Sequence, residues 1–211
     1  MPEIKGPNEL VTEAYNLRDE ASMIEFYQKW AEDYDRVMLE ELGYESPLKI
    51  AQQLRDHLPD SNAEIFDIGC GTGLTCVFLA DQGYTRIDGI DISPDMVQVA
   101  GKRGIYRELL VGDVNQALER DDASYDGVIS SGTFTHGHVG PEPLDEILRI
   151  LKPGGFLACT VHQDLWREMG FAAKFESLVS RGSARQISLK KDKYYRQGPP
   201  EGWFCVYRKS D

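Results

Sequence analysis

Three glycines at alternate positions, Gly69, Gly71 and Gly73, stand between a short apolar run ending at Ile68 and an amphipathic stretch beginning at Leu74. Few places in a fold need so bare a backbone. One is a strand that must turn sharply into a helix while its N–H groups approach a ligand with no Cβ in the way. The dinucleotide fingerprint G-x-G-x-x-G would need a glycine where Leu74 stands. The pattern here is instead D-x-G-x-G-x-G, with Asp67 two residues before the first glycine. A carboxylate there disfavours a pyrophosphate and suits a ligand carrying an ammonium group.

The surrounding periodicity fixes the class of fold. A helix is predicted from about Asp19 to Leu42, with Phe26, Tyr27, Trp30, Ala31 and Tyr34 on one face, and a second from Pro47 to Leu58. Strands and helices then alternate. "EIFDIG" precedes a helix from Leu74 to Asp81; "RIDGIDI" precedes one that Ser93 caps, running to about Lys102. "RELLVGD" and "YDGVISS" read as further strands, with a helix from Pro143 to Leu151 behind the second. After a "KPGG" turn, "FLACTVH" is a strand leading into a helix from about Asp164 to Val179. The segment from Arg185 to Lys209 reads as an antiparallel hairpin. Such alternation means an α/β domain, a mainly parallel sheet covered by helices on both faces, whose ligand lies at the carboxyl ends of the strands.

Two more carboxylates specify the ligand. Asp91 closes the second strand 18 residues after Gly73, where it can accept from both hydroxyls of a ribose. Asp113 closes the third, where it can accept from an exocyclic adenine amine. A molecule with an ammonium end, a ribose and an adenine is S-adenosylmethionine.

"FDIGCGTG", "GIDISPDMVQVA", "LLVGDV", "YDGVISSGTFTHGHV" and "EILRILKPGGFL" resemble, in order and spacing, the successive motifs of class I S-adenosylmethionine-dependent methyltransferases. "FYQKWAEDYDR", "RGIYRELL" and the terminal "VYRK" are similar to the methyltransferase-like proteins named for the Williams-Beuren syndrome region. The resemblance implies a Rossmann-like, seven-stranded sheet with an antiparallel last strand. It also implies a helical lid over residues 1–45, folded across a methyltransferase domain of residues 46–211 within a single globular unit. The cofactor would be S-adenosyl-L-methionine and its product S-adenosyl-L-homocysteine. Carried over motif by motif, the contacts would come from Asp67, Gly69, Cys70, Gly71, Gly73 and Leu74 on the glycine loop, and from Asp91, Ile92 and Met96 after the second strand. Asp113, Val114 and Ser130 would complete them, with Tyr27, Trp30 and Tyr34 closing over the top.

Methyl transfer asks little of side chains beyond placing the acceptor in line and excluding water. Where the acceptor must lose a proton, His136 and His138, in the loop after the fourth strand, are the candidates, and His136 aligns better with the histidine that many related small-molecule enzymes carry there. No Asp and Asn cluster suggests a magnesium site, so no metal is expected. A small-molecule acceptor is the expectation, its shape read by the N-terminal helix, Phe134, Trp166, and the hairpin around Gln186, Tyr194 and Tyr195. Three rival readings stay open: a cofactor-binding module that transfers nothing, an NAD-dependent oxidoreductase, and aminopropyl transfer from the decarboxylated cofactor.

Charge and cysteines supply the remaining expectations. With 35 acidic and 23 basic residues the net charge is -12, which argues against a nucleic-acid partner. The basic run "KKDKYYR" from Lys190 reads as a solvated hairpin edge. No run approaches the roughly 20 apolar residues of a membrane span. Cys70, Cys76, Cys159 and Cys205 show no metal spacing and read as buried thiols of a reducing, cytoplasmic setting.

Overall fold

The computed structural model describes residues 7–17, 20–31, 33–135, 139–196 and 198–211. The motif-bearing half is built as the alternation dictates. Strands β1 (Ile65–Ile68), β2 (Ile87–Asp91), β3 (Glu108–Val111), β4 (Tyr125–Phe134), β5 (Leu151–His162), β6 (Ala184–Lys193) and β7 (Glu201–Lys209) form one seven-stranded sheet in the order β3-β2-β1-β4-β5-β7-β6. Pairing is parallel from β3 through β5, and β7 runs antiparallel to both β5 and β6. From β1 the chain moves to β2 and β3 on one side and then returns to β4 on the other. A crevice opens at such a reversal, between the carboxyl ends of the strands.

Both faces of the sheet are covered, so neighbouring strand residues enter different cores. Ile65, Ile129 and Ala158 pack with Ile50 and Leu54 of α4 (Ser46–His57) and Cys76 and Leu79 of α5 (Leu74–Asp81). Phe66, Val128 and Leu157 face the opposite way. They pack with Leu144 and Ile147 of α7 (Leu144–Ile150) and with Phe171 and Phe175 of α9 (Phe171–Ser180). α6 (Pro94–Lys102) starts where Ser93 Oγ accepts from the Met96 N–H at 3.4 Å. All four cysteines are buried free thiols, and Cys159 and Cys205 stand opposite one another in the β5–β7 register.

Three expected elements differ, and one helix was not expected. The single helix expected over 19–42 is instead α2 (Glu20–Trp30), a turn, the short α3 (Tyr34–Arg36) and a wide π-helical turn over Val37–Glu41. There the Leu42 N–H reaches the Val37 carbonyl and the Tyr44 N–H reaches Met38 O at 2.8 Å. Tertiary contact overrides helical propensity: Tyr44 bridges to Tyr195 at the tip of the hairpin, and the wide turn delivers it there. A helix not anticipated, α1 (Pro7–Asn16), packs on that turn. The helix expected from Asp164 to Val179 breaks into α8 (Leu165–Glu168) and α9 because Gly170 takes φ +83°. "KPGG" is not a separate turn, since β5 runs through it.

Candidate functional site

The glycine loop leaves β1 at the crevice and needs its glycines for two reasons. Gly69 has φ +63°, and a Cβ on it would lie 2.0 Å from Thr133 Oγ1 of β4. Gly71, at φ +54°, has nothing within 4 Å of where a Cβ would stand, so its backbone borders open space. Asp91 ties this loop to the next strand end. Its Oδ2 accepts from the Gly71 N–H at 2.8 Å and its Oδ1 from the Ser93 N–H at 2.9 Å. Burial raises the Asp91 pKa, and these backbone donors pull against it. The Ile92 N–H is a third backbone donor to this carboxylate, which has about four acceptor sites in all. Asp113 Oδ1 accepts from both N–H groups of Asn115, backbone and side chain, at 2.8 Å, an Asx turn that orients the carboxylate.

These groups border one cleft of about 880 Å³, measured to its open mouth. Gly69, Cys70, Gly71 and Leu74 line it from the loop; Asp91, Ile92 and Met96 from β2 and α6. Asp113 and Val114 line it from beyond β3, and Tyr27 and Tyr34 from the N-terminal segment. Eleven of the cofactor residues expected from the sequence therefore meet at one place. Residues the sequence did not flag also line it, notably Tyr44, Thr72, Asn115, Ser131 and Thr133. Tyr44 hydrogen-bonds with Ser131 and Ser46, and burial raises its pKa, so its phenol stays a donor.

Four expected residues lie elsewhere. Ser130 is fully buried and donates to Ile68 O at 2.8 Å, while its neighbour Ser131 takes the cleft wall. Gly73 packs against Tyr106, whose ring carbon would lie 3.0 Å from a Cβ there. Trp30 lines a smaller adjoining cavity. Asp67 sits fully buried below the loop, its Oδ2 accepting from the Tyr106 hydroxyl at 2.7 Å and the Cys76 thiol beside it. Of the groups expected to read the acceptor, Phe134 and Trp166 are core residues and Gln186 holds the Tyr207 hydroxyl, whereas Tyr194 and Tyr195 line the smaller cavity. His136 and His138 lie outside the described residues.

The state of Asp67 makes stability depend on pH. Burial pushes its pKa from 3.8 to about 6, against the pull of the Tyr106 hydroxyl. Between those values the native state keeps a proton that the unfolded chain has released. Unfolding free energy therefore falls as pH rises through the window, by up to about 3 kcal/mol from this group. Urea unfolding of wild type and Asp67→Asn at pH 4 and pH 7 should show the wild type losing more stability than the variant on the rise. Parallel losses would mean that Asp67 is ionised throughout.

The N-terminal segment is fastened to the loop. Thr72 Oγ1 donates to Asp35 Oδ1 at 2.5 Å, Arg103 Nε donates to Thr72 O at 2.5 Å, and the Arg103 guanidinium pairs with Asp35. On the hairpin, Lys191 pairs with Glu201 and Arg196 with Glu45. Among the described residues, no cluster of His, Cys, Asp or Glu could hold a metal ion, and no helix is long and apolar enough to cross a membrane.

Residues 66–159 match the family described as "Methyltransferase domain". The chain is 32% identical over 163 residues to human methyltransferase-like protein 27, covering 76% of this chain and 64% of that protein. It is 41% identical over 66 residues to the mouse 18S rRNA (guanine-N(7))-methyltransferase, covering 31% of this chain and 23% of that one. Among solved structures, a chain of the complex between the Haloferax volcanii Trm112 methyltransferase activator and a methyltransferase superposes with a TM-score of 0.68. It is 21% identical and covers 88% of this chain and 98% of that one. These matches span less than two thirds of the curated relatives' lengths. They also correct one expectation. With an rRNA methyltransferase among the relatives, the exclusion of a nucleic-acid partner does not stand. Net charge governs affinity for a phosphate backbone and says little about a single base entering a cleft.

Proposed function

We propose that the chain, which matches the methyltransferase domain family over residues 66–159, is a class I S-adenosylmethionine-dependent methyltransferase that transfers a methyl group from S-adenosyl-L-methionine to a small-molecule acceptor. The observation that carries this reading is the convergence on one cleft of the glycine loop, Asp91 and Asp113. The residues fit the cofactor: open space at Gly71 admits its close approach, and the Asp91 carboxylate lines the cleft beside it, where it can accept from a ribose hydroxyl. Bound, S-adenosylmethionine supplies a methyl carbon activated by positive sulfur. In this reading Asp91 orients the ribose, Asp113 takes the adenine amine, and the rings of Tyr27 and Tyr34 cover the cleft and exclude water. An acceptor that must lose a proton would give it to His136.

The test is incubation with methyl-labelled cofactor, once with a low-molecular-weight metabolite extract and once with total RNA, followed by mass spectrometry of labelled products. Label in the metabolite fraction supports the proposal. Label confined to RNA overturns the small-molecule acceptor, and tight S-adenosylhomocysteine binding without any transfer leaves a binding module. For the base, His136→Ala should lower turnover about a hundredfold with cofactor affinity unchanged. Full activity in the variant would mean that the acceptor arrives as a free nucleophile.

In the same reading, residues 1–45 act as a lid held by the Asp35, Thr72 and Arg103 contacts. The segment before Leu42 should be cleaved more slowly by protease when S-adenosylhomocysteine is bound. Arg103→Ala should speed that cleavage roughly fivefold, the effect of losing about 1 kcal/mol of partly exposed ion pair. Equal rates in both proteins would deny the contact any role in closure.

A further inference from the structure

Beside the cofactor cleft lies a second cavity of about 420 Å³, measured to its mouth. The two share Tyr27, Tyr34, Tyr44 and Gly132 as walls, so an occupant of one abuts an occupant of the other. Rings dominate the second: Trp30 and Tyr34 meet edge to face at 4.8 Å, Tyr27 and Trp30 lie nearly parallel at 6.3 Å, and Tyr44 and Tyr195 stand at 5.2 Å. No Asp, Glu, Lys or Arg is among the described residues that line it. Yet two of its polar atoms are unanswered. Trp30 Nε1 and Thr135 Oγ1 are buried without a hydrogen-bond partner among the described residues, on side chains only 5% and 4% exposed. Buried polar groups are nearly always paired, so two orphans in the walls of one small cavity mark where a ligand's polar atoms belong.

We infer that this cavity is the acceptor pocket and that its occupant is a neutral, single-ring molecule bearing an oxygen. This rests on the methyltransferase reading for the word acceptor, but the site itself is read independently. A charged occupant would be stripped of water with no counter-charge to meet it, whereas a flat ring fills a space walled by rings. The indole N–H can only donate, so the occupant must present an acceptor atom, which an oxygen does; the Thr135 hydroxyl can give or take. Tyr44, common to both spaces and held by Ser46 and Ser131, stands at the junction where the occupant meets the cofactor.

The test uses p-cresol as the neutral probe and 4-hydroxybenzoate as its charged counterpart, titrated with and without saturating S-adenosylhomocysteine. The readout is the three tryptophan indole N–H resonances, that of Trp30 being assigned by its loss in Trp30→Phe. Saturable movement of the Trp30 signal beyond those of Trp166 and Trp203 by p-cresol, with 4-hydroxybenzoate at least tenfold weaker, is expected. Thr135→Val should weaken p-cresol about tenfold by the same readout, and Trp30→Phe about tenfold by calorimetry, each with S-adenosylhomocysteine affinity kept within twofold. No saturable shift, equal shifts at all three indoles, or unaltered p-cresol affinity in both variants would overturn the assignment. If p-cresol binds while S-adenosylhomocysteine does not, the pocket stands and methyl transfer falls; the reverse result leaves methyl transfer and removes the pocket.

Discussion

Gly69→Ala is expected to lower S-adenosylhomocysteine affinity by about 10³-fold and to lower the melting temperature of the free protein. Two costs add at this position. An alanine held at φ +63° pays the left-handed penalty of about 1–2 kcal/mol. Its Cβ would also stand 2.0 Å from Thr133 Oγ1 and 2.9 Å from Thr133 Cβ, so the loop or β4 has to move. Overpacking of this kind costs about 1–3 kcal/mol. Thr133 Oγ1 donates to Ile68 O at 3.0 Å, which makes the obstacle a fixed one. Displacing the loop moves the Gly71 N–H away from Asp91 and spoils the cleft floor as well as the fold. Gly71→Ala is the control for stability: its φ is also positive, but in the free protein its Cβ meets nothing, so only the conformational cost remains there, although that Cβ would enter the space the cofactor takes. Calorimetric titration and thermal melts of both variants check this. Equal losses of melting temperature at the two positions would mean that contact with Thr133 is unimportant.

Asp91→Ala should be comparably severe, by about 10²- to 10³-fold in S-adenosylhomocysteine affinity. Two charge-assisted hydrogen bonds to ribose hydroxyls contribute about 1.5–3 kcal/mol each. The substitution also strands the Gly71 and Ser93 N–H groups that the carboxylate now holds. Asp91→Asn separates these roles. Its amide oxygen can still accept from one backbone N–H, but its NH₂ faces the other donor, so it should fall between wild type and alanine. Calorimetry with S-adenosylhomocysteine and with adenosine, which keeps the ribose and adenine and lacks the amino-acid arm, is the measurement. Unchanged affinity for adenosine in Asp91→Ala would remove the ribose assignment.

What could be read ahead of the structure follows a physical division. The glycine loop, Asp91 and Asp113 were legible because each sits at a strand end, where spacing in sequence fixes position in space. The same spacing misplaced Ser130 by one residue. A register shift between Ser130 and Phe134 lies within β4, and a one-residue offset exchanges the face that a side chain occupies. Asp67 was placed correctly on β1, but a strand position does not reveal whether a neighbour such as Tyr106, 39 residues away, will cover it. Tyr44 was invisible for a different reason. It follows a π-helical turn whose form depends on the bridge to Tyr195, a contact across more than half the chain that no local periodicity encodes. Phe134 and Trp166 show the converse, since aromatic residues near a site are as readily drawn into the core as left on its wall.

The placement of the four cysteines gives the molecule two clocks of its own. Cys70 and Cys76 lie in and just behind the glycine loop, whereas Cys159 and Cys205 face each other in the middle of the sheet. Burial pushes the thiols of Cys70, Cys76 and Cys205 well above their ordinary pKa, so none of the three offers a thiolate while the fold is closed. Reaction with a maleimide must then wait for the backbone to open. The loop pair times excursions confined to the ligand-binding end, and the sheet pair times cooperative loss of the whole domain, so the ratio of the two labelling rates reports how far local breathing runs ahead of global unfolding.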